Sequence, residues 1–196
     1  MRIQVIYAHP VEDSFNNAIH QRILEALRRK DHEIIDTDLY RENFQPTLSH
    51  DERVKYFLSG QNTETAQAYI DNLRWAEALV FCFPTWWHGM PAILKGYLER
   101  VWLPGVAFHL NGNGGPLQPG LQHIRKLAFV TTYGAPWWFV QLYMRHPVKT
   151  ILLRGLKPLL GKGARHLYLA LYNVDRTTMD SRNRFLQKVE NAFQKF

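Results

Sequence analysis

The stretch Ala78–Trp102, ALVFCFPTWWHGMPAILKGYLERVW, decides how the chain is read. Ala78–Phe83 is an apolar run of strand formers without polar alternation, the pattern of a strand buried on both faces of a parallel sheet. Pro84 is expected to stop it. Beyond Gly89 and Met90 the apolar residues change to helical spacing, with Ile93, Leu94, Tyr97, Leu98, Val101 and Trp102 on one side and Pro91 where a first helical turn tolerates a missing N–H. The order is strand, tight loop, helix. It sets Pro84, Thr85, Trp86, Trp87, His88 and Gly89 at the carboxyl end of a central strand, the edge where open α/β sheets hold their ligands. Two adjacent tryptophans there suit either a flat aromatic ligand or a core or interface contact.

Working outward, Ile3–Tyr7 reads as a first strand. Asp13 or Ser14 then caps a helix whose apolar face is Phe15, Ile19, Ile23, Leu24 and Leu27. Glu33–Leu39 is a second strand, polar enough for an edge position. Asn43–Glu52, with Pro46 and Ser49, reads as loop, and a helix from about Thr63 to Trp75 leads into the central strand. Leu103–Gln122, rich in Pro, Gly and Asn, is expected to be a long surface excursion, and its run Asn111–Pro116 lacks the flanking strand and helix of a nucleotide fingerprint. Leu127–Thr132 is a fourth strand, followed by an aromatic, basic helical region broken by Pro147 and Pro158. The strip Trp137, Trp138, Phe139, Leu142 and Tyr143 within it suits helical core, a substrate lid or a dimer contact. Leu167–Tyr172 is a fifth strand, and Thr177 with Asp180 predicts a capping box for a last helix with Phe185, Leu186, Val189 and Phe193 on its apolar face. Strand and helix alternate five times without repeat or linker. That is one doubly wound α/β domain over residues 1–196, with a five-stranded parallel sheet and helices on both faces.

The loop His9–Asn16 joins the first strand to the first helix. A helix start offers unpaired N–H groups and a partial positive charge, so it is a natural phosphate seat, and Ser14 and Asn16 add side-chain donors. His9 is either a phosphate donor or a turn residue.

Two of these stretches carry a family resemblance. FPTWWHGMPAILKGYLERV resembles the flavin loop and following helix of the NAD(P)H:quinone oxidoreductases, with the pattern P-x-x-W-x-G/S-x-P, and IQVIYAHPVEDSFNNAIH resembles the same family's phosphate loop, H-x-x-x-x-S-F-N. The resemblance spans nearly the whole chain. It implies a flavodoxin-like fold with strand order 2-1-3-4-5, FAD (or FMN) as cofactor, NAD(P)H as electron donor and a quinone-like acceptor reached by a ping-pong mechanism. It also implies a homodimer. The cofactor residues it implies are His9, Ser14, Phe15 and Asn16 at the phosphate, then Pro84, Thr85, Trp86, Trp87 and His88 along the ring. Thr131, Thr132, Tyr133 and Gly134 complete the set, matching the family's T-T-G-G loop with Tyr133 in place of a glycine. His88 departs from the pattern, since an apolar aromatic is commoner there. The family's Tyr and His for charge on the reduced flavin fall near Phe139 and Arg145; Tyr143 and His146 are out of register, and no catalytic role is carried over to them.

Composition limits the alternatives. Lys plus Arg number 24 against 17 Asp plus Glu, a net charge of +7, and no acidic residue stands between Glu99 and Asp175. That acid-free half holds Arg125, Lys126, Arg145, Lys149, Arg154, Lys157, Lys162 and Arg165. It is either solvated helix surface or an attraction for nucleotide phosphates or an anionic membrane face. The second reading allows an ancillary subunit of a membrane transport system with peripheral membrane contact, as in similar proteins of potassium efflux systems. Nucleic-acid binding has only the charge and no recognition motif. The nine histidines and single cysteine show no metal-ligand spacing, so no metal is expected. Cys82, inside an apolar strand, reads as a small buried hydrophobe in a reducing compartment. With no secretory leader pattern and no long apolar segment, the expectation is a soluble, cytoplasmic protein.

Overall fold

Five parallel strands form one sheet. The structure, a computed structural model, describes residues 1–58, 60–112 and 114–196; Asn113, in the glycine- and asparagine-rich run, lies outside the described residues. The sheet strands are β1 (Arg2–Tyr7), β2 (Glu33–Asp38), β3 (Ala78–Thr85), β6 (Lys126–Tyr133) and β7 (Arg165–Leu171). A separate two-stranded antiparallel pair is made by β4 (Phe108–His109) and β5 (Gln118–Pro119). Their order in the sheet is β2-β1-β3-β6-β7, which counted among the sheet strands alone is the expected 2-1-3-4-5.

Strand β3 shows why the apolar run had no alternation. Leu79, Phe81 and Phe83 face one side, where α3 (Gln67–Trp75) brings Ile70 and Leu73 and α4 (Ala92–Val101) brings Leu94, Tyr97 and Val101. Val80 and Cys82 face the other, against Ile19, Ile23 and Leu27 of α1 (Phe15–Arg28) and Phe185, Val189 and Phe193 of α6 (Met179–Phe193). Both faces are covered, so both residue sets are apolar.

Four expectations need correction. Pro84 does not end β3, which continues to Thr85. Pairing with β1 stops at Tyr7–Cys82, and Ala8 N–H donates to Cys82 O, so the same parity turns the missing N–H of Pro84 towards a side that has no partner strand. The end of the segment read as loop, Asn43–Glu52, belongs to α2 (His50–Lys55), opened by a reciprocal capping box in which Ser49 Oγ accepts from Glu52 N–H and Glu52 accepts from Ser49 N–H. The last helix is capped by Thr178, which accepts from Ser181 N–H, because Thr177 is engaged in donating to Val174 O. Finally, Leu103–Gln122 is not a surface excursion throughout, since Val106, Ala107 and Leu121 are buried.

Gly96 in α4 is required by a close approach. A Cβ there would lie 2.2 Å from the carbonyl oxygen of Pro46, so the segment before α2 rests directly on the helix backbone. Arg100 on the same helix donates to Glu52 at 2.8 Å and fixes α2 from the other end.

Candidate functional site

The carboxyl ends of β1, β3 and β6 surround a cleft of about 470 Å³, within the range of small-molecule sites. Its lining comes from four loops: His9, Ser14, Phe15 and Asn16 after β1, Pro84, Thr85 and Trp86 at the end of β3, Thr132 and Gly134 at the end of β6, and Val174, Asp175 and Arg182 beyond β7.

The β1 loop is held tightly. Ser14 is the N-cap of α1, its Oγ accepting from Asn17 N–H at 3.1 Å. Asn16 is buried and donates through Nδ2 to Thr132 Oγ1 at 2.9 Å, while its Oδ1 has no hydrogen-bond partner among the described residues. One of the two expected side-chain donors is thus committed to the neighbouring strand. Beside the Ser14 hydroxyl, which still has its proton to donate, the N–H groups of Phe15 and Asn16, first in the helix, make no hydrogen bond among the described residues. His9 Nδ1 is held at the Val11 backbone, 3.1 Å from its N–H and 3.3 Å from its carbonyl oxygen. Burial holds its pKa below the usual histidine value, against the opposing backbone bond at Val11.

The β3 loop is a two-residue turn. Trp86 N–H donates to Gly89 O at 3.1 Å and Gly89 N–H to Trp86 O at 2.9 Å, and Trp87 and His88 both take positive φ, 48° and 57°. Paired bonds with two positive φ values describe a type I′ turn, which favours Asn-Gly rather than two bulky residues. Trp87 and His88 are therefore strained at their Cβ, and outliers of this sort concentrate at ligand sites. The Gly89 N–H is internally paired, and the free donors of this turn are Trp87 N–H and His88 N–H. Side chains diverge from there. Trp86 lines the cleft 5.8 Å from the His9 ring, Trp87 is 100% exposed, and His88 turns to Phe139 at 5.5 Å.

Strand alternation separates the β6 residues. Thr132 lies on the α1 face and lines the cleft, whereas Thr131 and Tyr133 are buried on the opposite face. Thr131 bonds Thr85 Oγ1 at 3.0 Å, and Tyr133 bonds Tyr168 at 2.7 Å and stacks on Tyr172. Burial pushes the Tyr133 phenol up to about 12. Of the residues singled out by sequence, nine line the cleft; Trp87, His88, Thr131 and Tyr133 do not.

Three lining residues escaped the sequence reading. Gly134 is in close contact with Asp175, whose Oδ2 is 2.8 Å from where a Cβ would stand. Arg182 is fixed by donating to Thr177 Oγ1 and Val174 O and by lying over the Phe15 ring at 5.5 Å. The signal that could have found them is topological: the loop after β7 lies at the same sheet edge. The strip Trp137, Trp138, Phe139, Leu142 and Tyr143 is not core, although Val140 within the same segment is buried. Trp137, Trp138, Leu142 and Tyr143 are exposed, and Phe139 joins them to His88. His146 is buried with its Nε2 3.1 Å from Tyr172 OH, and neither it nor Tyr143 lines the cleft.

A family model described as flavodoxin-like fold matches residues 1–193. The chain belongs to that family. Among its relatives, an uncharacterized NAD(P)H oxidoreductase of Escherichia coli (strain K12) is 37% identical over 113 residues, covering 55% of this chain and 55% of the relative. NAD(P)H dehydrogenase [quinone] 1 of Rattus norvegicus is 33% identical over 123 residues, 55% of this chain and 45% of the relative. The chain thus spans about half the length of the curated relatives it matches. Among solved structures, an NAD(P)H:quinone oxidoreductase from Methanothermobacter marburgensis superposes with a TM-score of 0.86 at 22% identity, covering 99% of this chain and 98% of that one. The resemblance to quinone oxidoreductases stated from the two sequence motifs is borne out at the level of family and fold. Among the described residues no helix is long and apolar enough to cross a membrane.

Proposed function

We propose that the chain is a flavin-dependent NAD(P)H oxidoreductase acting on a quinone-like acceptor, with the flavin in the cleft at the carboxyl edge of the sheet. The observation that carries this reading is the lining of one cleft, where the unpaired N–H groups of Phe15 and Asn16 at a helix start, the Arg182 guanidinium and the Trp86 ring come together, with the strained Trp87–His88 turn at its rim. The residues present fit such a group. A helix N-terminus with the fixed Arg182 suits a phosphate, and Trp86 offers a flat apolar wall.

Each element then has a task. The first turn of α1 and Arg182 hold the anionic end, with the His9 ring beside them. Trp86 and Pro84 keep water from one side of the ring, and the Trp87 and His88 amides, outside the cleft lining, are donors at its rim for a polar edge that extends there. Asp175, a carboxylate beside Gly134, suits hydroxyl groups of a sugar-like chain better than a phosphate. A bound flavin supplies the redox chemistry, accepting hydride from NAD(P)H and delivering two electrons to the acceptor. One open cleft serves donor and acceptor in turn, which makes the kinetics ping-pong. The cofactor is FAD, with FMN as the other candidate. The exposed Trp137, Trp138, Leu142 and Tyr143 beside the turn support a homodimer covering that flank.

Extraction and identification of the flavin from purified or reconstituted protein, followed by steady-state NAD(P)H oxidation with and without a quinone, tests the reading. Stoichiometric FAD or FMN with quinone-dependent turnover is expected. A folded protein that takes up neither flavin overturns it.

A further inference from the structure

The acid-free half of the sequence does not gather at the cleft. Arg125, Lys126, Lys162 and Arg165 converge at the opposite, amino-terminal edge of the sheet, around a cavity of about 540 Å³ that Gly161, Gly163 and Ala164 also line. The strands explain the clustering. Lys126 opens β6 and Arg165 opens β7, the two are direct partners across the ladder, and Arg165 N–H donates to Arg125 O at 3.0 Å. The loop Gly161–Ala164 then folds against the same strand ends, Gly161 N–H donating to Ile124 O.

Four positive side chains therefore share one concavity. Lys126 donates to the Phe196 main-chain oxygen, but none of the four has a carboxylate side chain within 4 Å among the described residues, and the strand-end acid Glu77, which feels Arg125, already accepts from Arg2 N–H at 3.0 Å. The backbone adds donors. The N–H groups of Lys162 and Gly163 make no hydrogen bond among the described residues, and Gly163 takes φ +81°, the left-handed conformation that turns successive N–H groups towards one anion. A smaller cavity of about 170 Å³ adjoins the first, sharing Lys126 and Arg165 and floored by Leu167, Ala192 and Phe196. Burial and the neighbouring Arg165 lower the Lys126 pKa, a strain that a bound anion would relieve.

We propose that this cavity is a second binding site, for an oligophosphate-bearing ligand, held by Arg125, Lys126, Lys162 and Arg165 and by the Lys162 and Gly163 amides. It is separate from the cleft, since the seven-residue rise from Lys126 to Tyr133 is about 23 Å. Cations near a surface are usually solvated individually, but four around one concavity with no carboxylate side chain in contact set up a focused positive potential. The scale of the cavity suits two or more phosphates rather than one, and the apolar floor next to it suits an organic group attached to them.

Calorimetric titration of inorganic pyrophosphate into the full chain tests this at an ionic strength of about 0.01 M, where the Debye length is ~30 Å. One saturable site is expected. The double variant Lys162→Gln with Arg165→Gln should weaken it about 100-fold, taking each charge-assisted bond as about tenfold. Arg154→Gln with Arg184→Gln removes the same charge at exposed positions outside both cavities and should leave the affinity within about twofold, allowing for its longer-range effect on the field. Cooperative thermal unfolding of both variants guards against misfolding. Competition identifies the source: displacement by ATP assigns a soluble phosphate ligand, and displacement by phosphatidylcholine vesicles containing cardiolipin, which carries two phosphates, but not by pure phosphatidylcholine, assigns a lipid headgroup. Absence of saturable binding, or equal loss in both variants, overturns the proposal.

Discussion

At the α1 end of the cleft nearly every polar side chain is already engaged within the chain, Ser14 with Asn17, Asn16 with Thr132, His9 with Val11. At the Trp86 end the backbone turn is closed by two hydrogen bonds but the side chains are not: Trp87 has no cover at all and Trp137, Trp138 and Tyr143 stand exposed beside it. The first end is finished by local structure. The second has its conformation fixed and its surfaces open, which is what a site needs when the surface is to be covered by something flat. A preformed anchor lowers the ordering cost of binding, while an open aromatic wall leaves room for two substrates in turn.

The sharpest break of this comparison lies within the tryptophan pair. Trp86→Ala should weaken flavin binding by about 2–3 kcal/mol, the scale of a buried aromatic contact, whereas Trp87→Ala should change it by less than about 0.5 kcal/mol. Fluorescence titration with flavin distinguishes them, and equal losses would mean that the exposed ring folds back over the ligand.

A second variant separates the two faces of β6. Tyr133→Phe removes a partner from the buried Tyr168 hydroxyl and should lower stability by about 1–2 kcal/mol, read from urea unfolding, with flavin affinity unchanged. A loss of flavin affinity at unaltered stability would return Tyr133 to the ring, where the family pattern puts it.

These outcomes bear on what could be read from the sequence. The five strands and the α1 loop were legible because apolar periodicity and a cap residue are local signals, and Ile19, Ile23, Leu24 and Leu27 are all buried as the spacing requires, whereas the strand order came from the family resemblance. The cleft residues of the first two loops followed from the same logic. Asp175 and Arg182 did not, because only the closed sheet brings the loop after β7 to the site. Pro84 misled because its tolerance depends on β1 ending at Tyr7, a tertiary fact. The capping box at Ser49 and Glu52 was present in the sequence but masked by Pro46 and the absence of any buried face on α2.

The strained turn provides a smaller test. Trp87→Asn should stabilise the protein by about 0.5–1 kcal/mol, since asparagine adopts positive φ more readily than tryptophan. A stability loss would show that Trp87 is held by contacts in solution, as in a dimer. Smaller still is a pH effect at the anchor. His9 titrates below its unfolded value, so the unfolded chain takes up the proton first and stability should fall as pH drops through about 6.5. His146 is shifted the same way, by burial and then by Lys149, so the slope should be reduced but not abolished in His9→Gln. Thermal melts between pH 5 and pH 8 read the difference.

The central claim is that the first turn of α1 and Arg182 hold the flavin's phosphate. Dissociation constants of FMN and riboflavin, measured on the parent and on Arg182→Gln, test it most directly. FMN should lose about 1.5–3 kcal/mol of binding, the value of a hydrogen bond to a charged group, and riboflavin, which has no phosphate, should bind parent and variant alike. Equal losses for both ligands, or none for FMN, would contradict it.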